Sequence, residues 1–305
     1  MKKLLMILTA VLLLMSCSQS KEKLKIAIIS PSIDHLPLSY AIEKGRLSKE
    51  AFELVRFNSG WEAQEALVNE KVDVAIIPFT YVWTARSKGY KVKTISFFER
   101  ETDGIIADST ISSIKDLENK KIGVLRASTL DAFMYKLSKK EKIKYEPVYF
   151  RTPAEMIAGL DAQQVSAIIT YVPTIQKLNN KYKIIHWFSN DNPEHPCCNL
   201  TTTESTINNK KNELRRLTRV LYDITEEINQ DKSNPLLIKH IMDNYKLNEN
   251  QSKDALSHTV FKMNLAKMDR EFEYETMKTF LELKYIDKMP KFEEVYQPGI
   301  INELQ

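Results

Sequence analysis

Two segments of the chain share one pattern of apolar and polar positions. Residues 52–77 align with residues 145–170, without a gap, at a spacing of 93 positions. The coinciding apolar positions are Val55 with Val148, Phe57 with Phe150, Leu67 with Leu160, Val72 with Val165 and Ile76 with Ile169. Each segment predicts a strand, a helix that begins at Ser59 or Thr152, and a second, buried strand.

The predicted strands are continuous apolar runs, which indicates parallel sheets with helices on both faces. A further strand opens each unit, at residues 24–29 and 120–125. We therefore expect two β-α-β-α-β lobes in series. Homology between the halves and chance similarity between two ordinary β-α-β segments both explain the repeat, and both lead to the same α/β architecture.

The regions outside the repeat set the expected boundaries. Residues 92–98 predict one more strand, residues 99–108 a crossover into the second lobe, and residues 198–203 the return. An apolar stripe at helical spacing follows in residues 214–228, and the C-terminal helices are expected to cover the first lobe. The predicted division is a signal peptide at 1–16, a lipidated N-terminus and tether at 17–23, a first lobe at 24–101 plus 204–305, and a second lobe at 102–203.

The N-terminus indicates export. Lys2 and Lys3 precede an apolar run at residues 4–15, which has the dimensions of a secretory signal and is shorter than the roughly 20 residues that span a membrane. The run ends in a Leu-Met-Ser-Cys sequence that resembles the lipobox of bacterial lipoproteins, with Cys17 as the lipidated residue. An ordinary signal peptide with an incidental cysteine is the alternative. We expect a lipid-anchored protein of the cell envelope, on the extracytoplasmic side of a bacterial membrane.

Composition narrows the possible partners. Removing Lys2 and Lys3 with the signal lowers the formal net charge from +4 to +2. Neither a nucleic-acid partner nor a membrane contact beyond the lipid anchor is expected from so small a charge. Apart from Cys17, the cysteines are the adjacent Cys197 and Cys198, so no disulfide framework holds the fold together. Stability must come from packing, and 43% of the residues are hydrophobic.

Several segments along the chain carry a family resemblance. They are LSYAIEKG at 38–45, EAL at 65–67, KVDVA at 71–75, SIKDLENKKIGV at 113–124 and HPCC at 195–198. In this order and spacing, the sequence resembles the nitrate–sulfonate–taurine class of binding proteins of ABC importers. Within that class it is similar to the group that includes binders of the thiamine pyrimidine precursor. It departs from the class at residues 164–167, where Gln-Val-Ser-Ala replaces the usual Gly-x-Val-Asp-Ala pattern.

The resemblance implies a periplasmic-binding-protein type II fold, a two-lobed Venus flytrap clamp with two crossover connections. Such a clamp closes on a small-molecule ligand by hinge motion and docks on the permease that works with the ATPase of the same system. A monomer without cofactor or metal is expected. The preferred ligand is a thiamine pyrimidine precursor or a similar heterocycle, and a sulfonate or nitrate-type small anion is the alternative.

No enzyme is expected from the motifs. The sequence contains no Gly-rich phosphate loop, no His-Glu-x-x-His and no Gly-x-Ser-x-Gly elbow. Two other classes stay open: a pyrimidine-synthesis enzyme on the same fold, which would require a cytosolic chain, and a sensory lipoprotein that signals to a receptor.

Ligands of open α/β sheets gather at the carboxyl ends of the strands. Ser128 and Thr129 follow a strand and begin a helix, where an anion or polar group can bind, although either residue can simply cap the helix. Arg126 adds donors, and Trp61 and Tyr81 can stack on a flat ligand or pack in the core. The candidate ligand-binding residues are Ser30, His35, Trp61, Thr80, Tyr81, Arg126, Ser128, Thr129, Tyr171, His195, Cys197 and Cys198.

The His195-Pro196-Cys197-Cys198 segment has three interpretations. The thiols can line the cleft, form a strained vicinal disulfide, or bind a soft metal together with His195. Cleft-lining thiols are preferred, because two adjacent cysteines alone cannot easily complete a tetrahedral metal site.

Overall fold

The computed structural model describes residues 22–303. The predicted signal peptide at 1–16 and the lipidation site Cys17 lie outside these residues, as does most of the predicted tether. No helix of the described part combines the length and apolar character needed to cross a lipid bilayer.

The described chain alternates strands and helices in its first two thirds and is mainly helical afterwards. The strands are β1 (Leu24–Ile29), β2 (Phe52–Phe57), β3 (Val74–Pro78), β4 (Val92–Arg100), β5 (Asp103–Ala107), β6 (Lys121–Leu125), β7 (Glu146–Phe150), β8 (Ala167–Tyr171), β9 (Lys183–Trp187), β10 (Pro196–Thr203) and β11 (Val260–Phe261). The helices are α1 (Leu36–Glu43), α2 (Gly60–Val68), α3 (Phe79–Ser87), α4 (Thr129–Glu141), α5 (Pro153–Asp161), α6 (Thr174–Leu178), α7 (Glu204–Asn209), α8 (Lys211–Gln230), α9 (Pro235–Tyr245), α10 (Glu249–Ser257), α11 (Lys267–Glu282) and α12 (Phe292–Val295). Short 3₁₀ helices cover Ile33–His35, Ile114–Leu117 and Phe188–Asn190.

The strands form two sheets, which define two lobes. The first lobe contains a sheet of order β11-β4-β10-β3-β1-β2, and the second lobe a sheet of order β7-β6-β8-β5-β9. In each sheet the opening strand lies between two parallel neighbours: β1 pairs with β2 and β3, and β6 pairs with β7 and β8. The sequence repeat thus corresponds to a repeated unit of structure, and the predicted two-lobed α/β architecture is confirmed.

Both repeated helices begin as the sequence predicts. The Ser59 hydroxyl accepts a hydrogen bond from the Glu62 amide at the start of α2. The Thr152 hydroxyl accepts the equivalent bond from the Glu155 amide at the start of α5. Each cap satisfies a backbone N–H that the first helical turn leaves without a partner.

One predicted boundary is wrong. Residues 196–203 were expected in the second lobe, but they form β10, which lies between β3 and β4 in the first sheet. This strand is antiparallel to both neighbours, with Leu200 opposite Ile76 on β3 and Ser96 on β4. The chain therefore returns to the first lobe before Pro196, because both edges of the gap between β3 and β4 need this strand as a partner.

The C-terminal helices cover the first lobe, as expected. The apolar stripe of α8, including Leu217 and Leu221, packs with strand residues such as Ile26 and Ile76 in one core cluster. On the opposite face of the sheet, Met277 and Phe280 of α11 pack in a second cluster. The second lobe has its own core.

Candidate functional site

A narrow cavity lies between the lobes, and we call it the cleft. It measures about 30 Å³, which is little more than the room that a few water molecules need. A larger ligand can therefore enter only when the lobes separate, as in hinge closure. The cavity is lined by Ile29, Asp34, Ser59, Gly60, Pro78, Tyr81, Thr102, Asp103, Leu125, Ser128, Thr129, Leu130, Pro153, Tyr171, Cys197 and Cys198.

Carboxyl groups and thiols form the inner wall of the cleft. The Cys198 thiol donates a hydrogen bond to Asp34 Oδ2 at 3.2 Å. The Cys197 thiol lies 3.9 Å from Asp103 Oδ1, and the two sulfurs are 4.0 Å apart. Both cysteines are free thiols, so the structure contains no vicinal disulfide here. We call Asp34, Glu99, Asp103, Cys197 and Cys198 the acidic floor.

Glu99 is, with Asp103, one of the two fully buried acids of this floor. Its side chain is fully buried, and it forms no ion pair within residues 22–303. Burial raises the pKa of Glu99 well above its usual value, and the nearby charges of Asp34 and Asp103 raise it further. The adjacent Arg100 does not neutralise it, because both guanidinium NH groups of Arg100 bind the Asp269 carboxylate, at 3.0 and 2.7 Å.

Burial also raises the pKa of Asp34, to about 6. Hydrogen bonds from Ser32 and Cys198 oppose this shift, while the charge of Asp103 adds to it. The pKa of the Cys198 thiol is likewise raised well above its usual value, mainly by burial. Near neutral pH the floor therefore contains neutral thiols next to the Asp34 and Glu99 carboxyl groups, whose pKa values are raised by burial and by neighbouring carboxylates.

Glu99, Cys197 and Cys198 also bring three potential metal ligands within 4.8 Å of one another. A carboxylate with two thiolates would suit a soft divalent ion. However, thiols bind such ions as thiolates, and the raised pKa of Cys198 opposes its ionisation. The donor set alone does not favour a resident metal.

His195 lies behind the floor instead of in the cleft. It lines a separate surface cavity of about 230 Å³ with Phe133 and Lys136. Its Nδ1 lies 2.8 Å from the Asn192 carbonyl oxygen, which can only accept, so Nδ1 carries a proton. Its Nε2 lies 3.5 Å from Asp103 Oδ2, a contact that is attractive only when another proton lies between the two atoms.

The structure brings six of the twelve candidate residues to the cleft. They are Tyr81, Ser128, Thr129, Tyr171, Cys197 and Cys198. Ser128 also caps α4: its hydroxyl donates to the Leu125 carbonyl at 2.6 Å and accepts from the Asp131 amide at 3.3 Å. The Ser128 hydroxyl thus already donates one hydrogen bond and accepts another within the protein.

Two further candidates lie in a wider cavity that opens from the cleft, which we call the mouth. The mouth measures about 570 Å³ and contains Trp61 and Arg126. It shares Ser59, Tyr81 and Leu125 with the cleft.

Ser30, His35 and Thr80 do not line the cleft. His35 Nε2 accepts a hydrogen bond from the Ile29 amide at 2.8 Å, and burial lowers the pKa of His35 to about 3. This neutral imidazole supports the end of β1. Ser30 and His35 line a small cavity of about 80 Å³ beside α9. Thr80 is fully buried, and its hydroxyl has no hydrogen-bond partner within residues 22–303.

Sequence reasoning missed the three acids of the floor. Asp34 was not among the candidate residues, although it lies on the same 3₁₀ helix, Ile33–His35, as the candidate His35. Glu99 and Asp103 were interpreted as crossover residues. A usable signal was present, since Glu99 directly follows the apolar run of β4 and Asp103 directly precedes that of β5.

Comparison with known proteins places the fold. The ligand-binding component of an ABC-type import system from Staphylococcus aureus, solved with zinc bound, has a TM-score of 0.80 at 17% identity, covering 93% of this chain and 99% of that chain. The alkanesulfonate-binding protein SsuA from Xanthomonas axonopodis, bound to MOPS, has a TM-score of 0.80 at 15% identity, covering 92% and 100%. The nitrate-binding protein NrtA from Synechocystis has a TM-score of 0.74 at 12% identity, covering 92% and 88%.

These structural similarities establish the periplasmic-binding-protein fold. At sequence identities this low, they do not identify the ligand or the role of this chain. No curated protein matches the sequence significantly. Residues 32–231 match the sequence profile of the family described as NMT1/THI5 like. The match begins shortly after β1, includes strands of both sheets and ends just after α8. The chain belongs to the NMT1/THI5-like family.

Proposed function

We propose that this protein is the extracytoplasmic solute-binding component of an ABC importer. It captures a small heterocycle rich in N–H donors, such as a thiamine pyrimidine precursor, between its lobes and delivers it to a permease. The fold is shared with binding components of such systems, and the N-terminal signal with Cys17 supplies export and a lipid anchor.

The proposed ligand class rests on the charge of the cleft. Its lining, as far as the described chain supplies it, includes the carboxyl groups of Asp34 and Asp103 and no lysine or arginine. Glu99 adds a third acid within the floor. Amino groups and protonated ring nitrogens are the natural partners of such acceptors, because hydrogen bonds to an ionised carboxylate are the strong ones.

The rest of the lining suits a flat polar molecule. Tyr81 and Tyr171 supply aromatic rings from opposite lobes, and Thr129 supplies a hydroxyl. Aromatic side chains stack on heteroaromatic rings in offset or edge geometries. Ligand atoms held by groups from both lobes stabilise the closed clamp relative to the open one.

The sulfonate or nitrate alternative fits the cleft less well. An anion there would meet carboxylates, and a like-charge contact in a buried site is strongly unfavourable. Arg126, which was expected to attract an anion, lies in the mouth, and the Ser128 hydroxyl is already used in the cap of α4. The cleft thus differs in charge from what a small anion needs.

Thermal-shift screening of the chain from Ser18 onward tests this proposal. A ligand that binds only the folded protein stabilises it by about 2.7 kcal/mol at 100 times its dissociation constant. We expect aminopyrimidines, including the thiamine pyrimidine precursor, to raise Tm, and alkanesulfonates and nitrate to leave it unchanged. The reverse pattern would refute the assigned ligand class.

A matched pair of variants tests whether the ligand binds at the acidic floor. Asp34→Asn replaces a cleft carboxylate with an isosteric amide, and we expect at least about tenfold weaker binding, since a hydrogen bond to a charged group contributes about 1.5–3 kcal/mol. Asp108→Asn makes the same change outside the cleft, at a turn where Asp108 accepts from the Thr110 amide, and should leave affinity unchanged. Equal effects of the two variants would contradict a site at the acidic floor.

A further inference from the structure

The mouth differs from the acidic floor in charge. Three cationic side chains line it: Lys88 from the first lobe, and Arg126 and Arg151 from the second. The acid among its lining residues is Glu62, whose Oε2 accepts a hydrogen bond from the Asn58 amide at 2.9 Å. The cavity that leads to an acidic floor therefore carries a net positive charge.

None of these three cations forms an ion pair within residues 22–303, although twenty-one other pairs are present there. Two of them lie beside aromatic rings instead: Lys88 Nζ is 5.7 Å from the Trp61 ring, and the Arg126 guanidinium is 5.5 Å from the Tyr285 ring. A cation over an aromatic face keeps its charge and its donors available.

The positions of the cations couple them to lobe closure. Lys88 follows α3 in the first lobe, whereas Arg126 and Arg151 follow β6 and β7 in the second lobe. Closure brings like charges to one cavity, which is unfavourable unless an anion lies between them. An anionic group in the mouth would replace this repulsion with attraction and would therefore favour the closed form.

We propose that the mouth binds an anionic substituent, a phosphate or a carboxylate, of the same ligand whose N–H donors face the acidic floor. This proposal rests on the proposed function, and it narrows the substrate class to amino heterocycles that carry an anionic group. Arg126 and Arg151 provide planar donor forks suited to oxyanions, Lys88 closes the site from the other lobe, and Trp61 offers an exposed ring at its rim.

Calorimetry with two ligands that differ in one group tests the proposal. The probes are 4-amino-5-hydroxymethyl-2-methylpyrimidine and its phosphate monoester, titrated into wild type, Arg126→Gln/Arg151→Gln and Lys88→Gln. We expect wild type to prefer the phosphate ester at least about tenfold, the double variant to lose most of this preference and Lys88→Gln to lose part of it, since charge-assisted hydrogen bonds are the strong ones. Arg219→Gln, on α8 away from the mouth, should retain the preference. An equal affinity of wild type for the two probes would overturn the proposal.

A second measurement separates this proposal from the assigned heterocycle. Inorganic phosphate is titrated at constant ionic strength while tryptophan fluorescence is followed in wild type and in Trp61→Phe, so that the contribution of Trp61 is the difference between the two proteins, which share Trp83 and Trp187. We expect a saturable change that Arg126→Gln/Arg151→Gln abolishes. If phosphate binds in this way while neither pyrimidine binds, the heterocycle assignment fails and the anion site stands; if phosphate gives no saturable change, the anion site is refuted.

Discussion

The Thr129 hydroxyl lies 3.6 Å from the Cys197 sulfur, and this contact joins α4 of the second lobe to β10 of the first. Both residues are almost fully buried. The contact forms at the point where the lobes meet above the acidic floor, so separation of the lobes must break it. The closed form is thus stabilised by a weak polar contact that a ligand can replace or supplement.

Thr129→Val should weaken ligand binding about fivefold. Valine matches threonine in shape but removes the hydroxyl contact with Cys197, and a typical hydrogen bond contributes about 1 kcal/mol. Calorimetry measures the change. Thr80→Val is the matched control, since the Thr80 hydroxyl is buried and has no hydrogen-bond partner among the described residues; this variant should keep its affinity and an equal or higher Tm. A similar loss of affinity in both variants would contradict a specific role for Thr129.

Ligand binding should release protons near pH 6. Burial holds the pKa of Asp34 at about 6 in the closed protein, above its ordinary value of 3.8. A donor-rich ligand needs the ionised carboxylate, so its affinity should rise as pH increases through about 6 and level off above. The number of protons released on binding is measured by calorimetry in two buffers of different ionisation enthalpy, at pH 5.5 and at pH 8. The ligand used must not itself titrate between these pH values. Proton uptake at pH 5.5 would indicate an anionic ligand at the floor instead.

Glu273 should make the first lobe less stable as pH rises. Its carboxylate accepts hydrogen bonds from Trp83 Nε1 at 2.8 Å, Tyr296 Oη at 2.6 Å and Asn199 Nδ2 at 2.8 Å, yet burial raises its pKa from 4.5 to about 7. The folded state therefore binds a proton more tightly than the unfolded state, and the free energy of unfolding falls between pH 4.5 and pH 7. The decrease is on the order of 3 kcal/mol.

Glu273→Gln isolates this effect. The new amide can still accept from Trp83 and Tyr296, and a flip of the Asn199 amide, whose Oδ1 has no partner within residues 22–303, restores the remaining contact. Urea unfolding of both proteins from pH 4.5 to pH 8 should show a smaller decrease for the variant. Parallel curves for the two proteins would rule out Glu273 as the titrating group. Glu273→Ala should instead destabilise at every pH, because three buried donors lose their acceptor.

Gly60→Ala should displace Tyr81. A Cβ at Gly60 would lie 2.4 Å from Tyr81 Cε2, so the ring must move away from the start of α2 and out of its place in the cleft. Overpacking of this kind destabilises by about 1–3 kcal/mol, and we expect about tenfold weaker ligand binding as well. Gly299→Ala serves as control, since its nearest neighbour would be 4.0 Å away. Equal affinities of the two variants would show that Tyr81 does not contact ligand.

The architecture was predictable because its determinants are local. Apolar runs and caps such as Ser59 and Thr152 specify each β-α-β unit within about 25 residues. The rule that ligands gather at strand ends then placed Tyr81, Tyr171 and Thr129 together, although they are distant in sequence. The position of β10 was not predictable in this way. Its residues 199–203 are mostly polar, and they form a central strand only because β3 and β4 pair with them.

The acidic floor escaped prediction for a related reason. An acid in a sequence normally indicates an exposed position, whereas Glu99 and Asp103 are buried beside Cys197, which lies more than 90 residues further along the chain. Conversely, His35 was a candidate for ligand contact, with a surface loop position as the alternative, but its buried ring accepts a hydrogen bond from the Ile29 amide. That bond depends on the tight turn after β1, which hydrophobic periodicity does not describe.

The position of β10 has a consequence for assembly of the molecule. As the chain emerges from its N-terminus, β3 and β4 exist long before Pro196–Thr203, so the first sheet has two open edges at its centre until that strand arrives. The five strands of the second sheet, by contrast, all lie between residues 103 and 187 and can pair as soon as they are made. The later lobe can therefore mature first, while the earlier lobe exposes strand edges that invite mispairing and must wait for the chain to return.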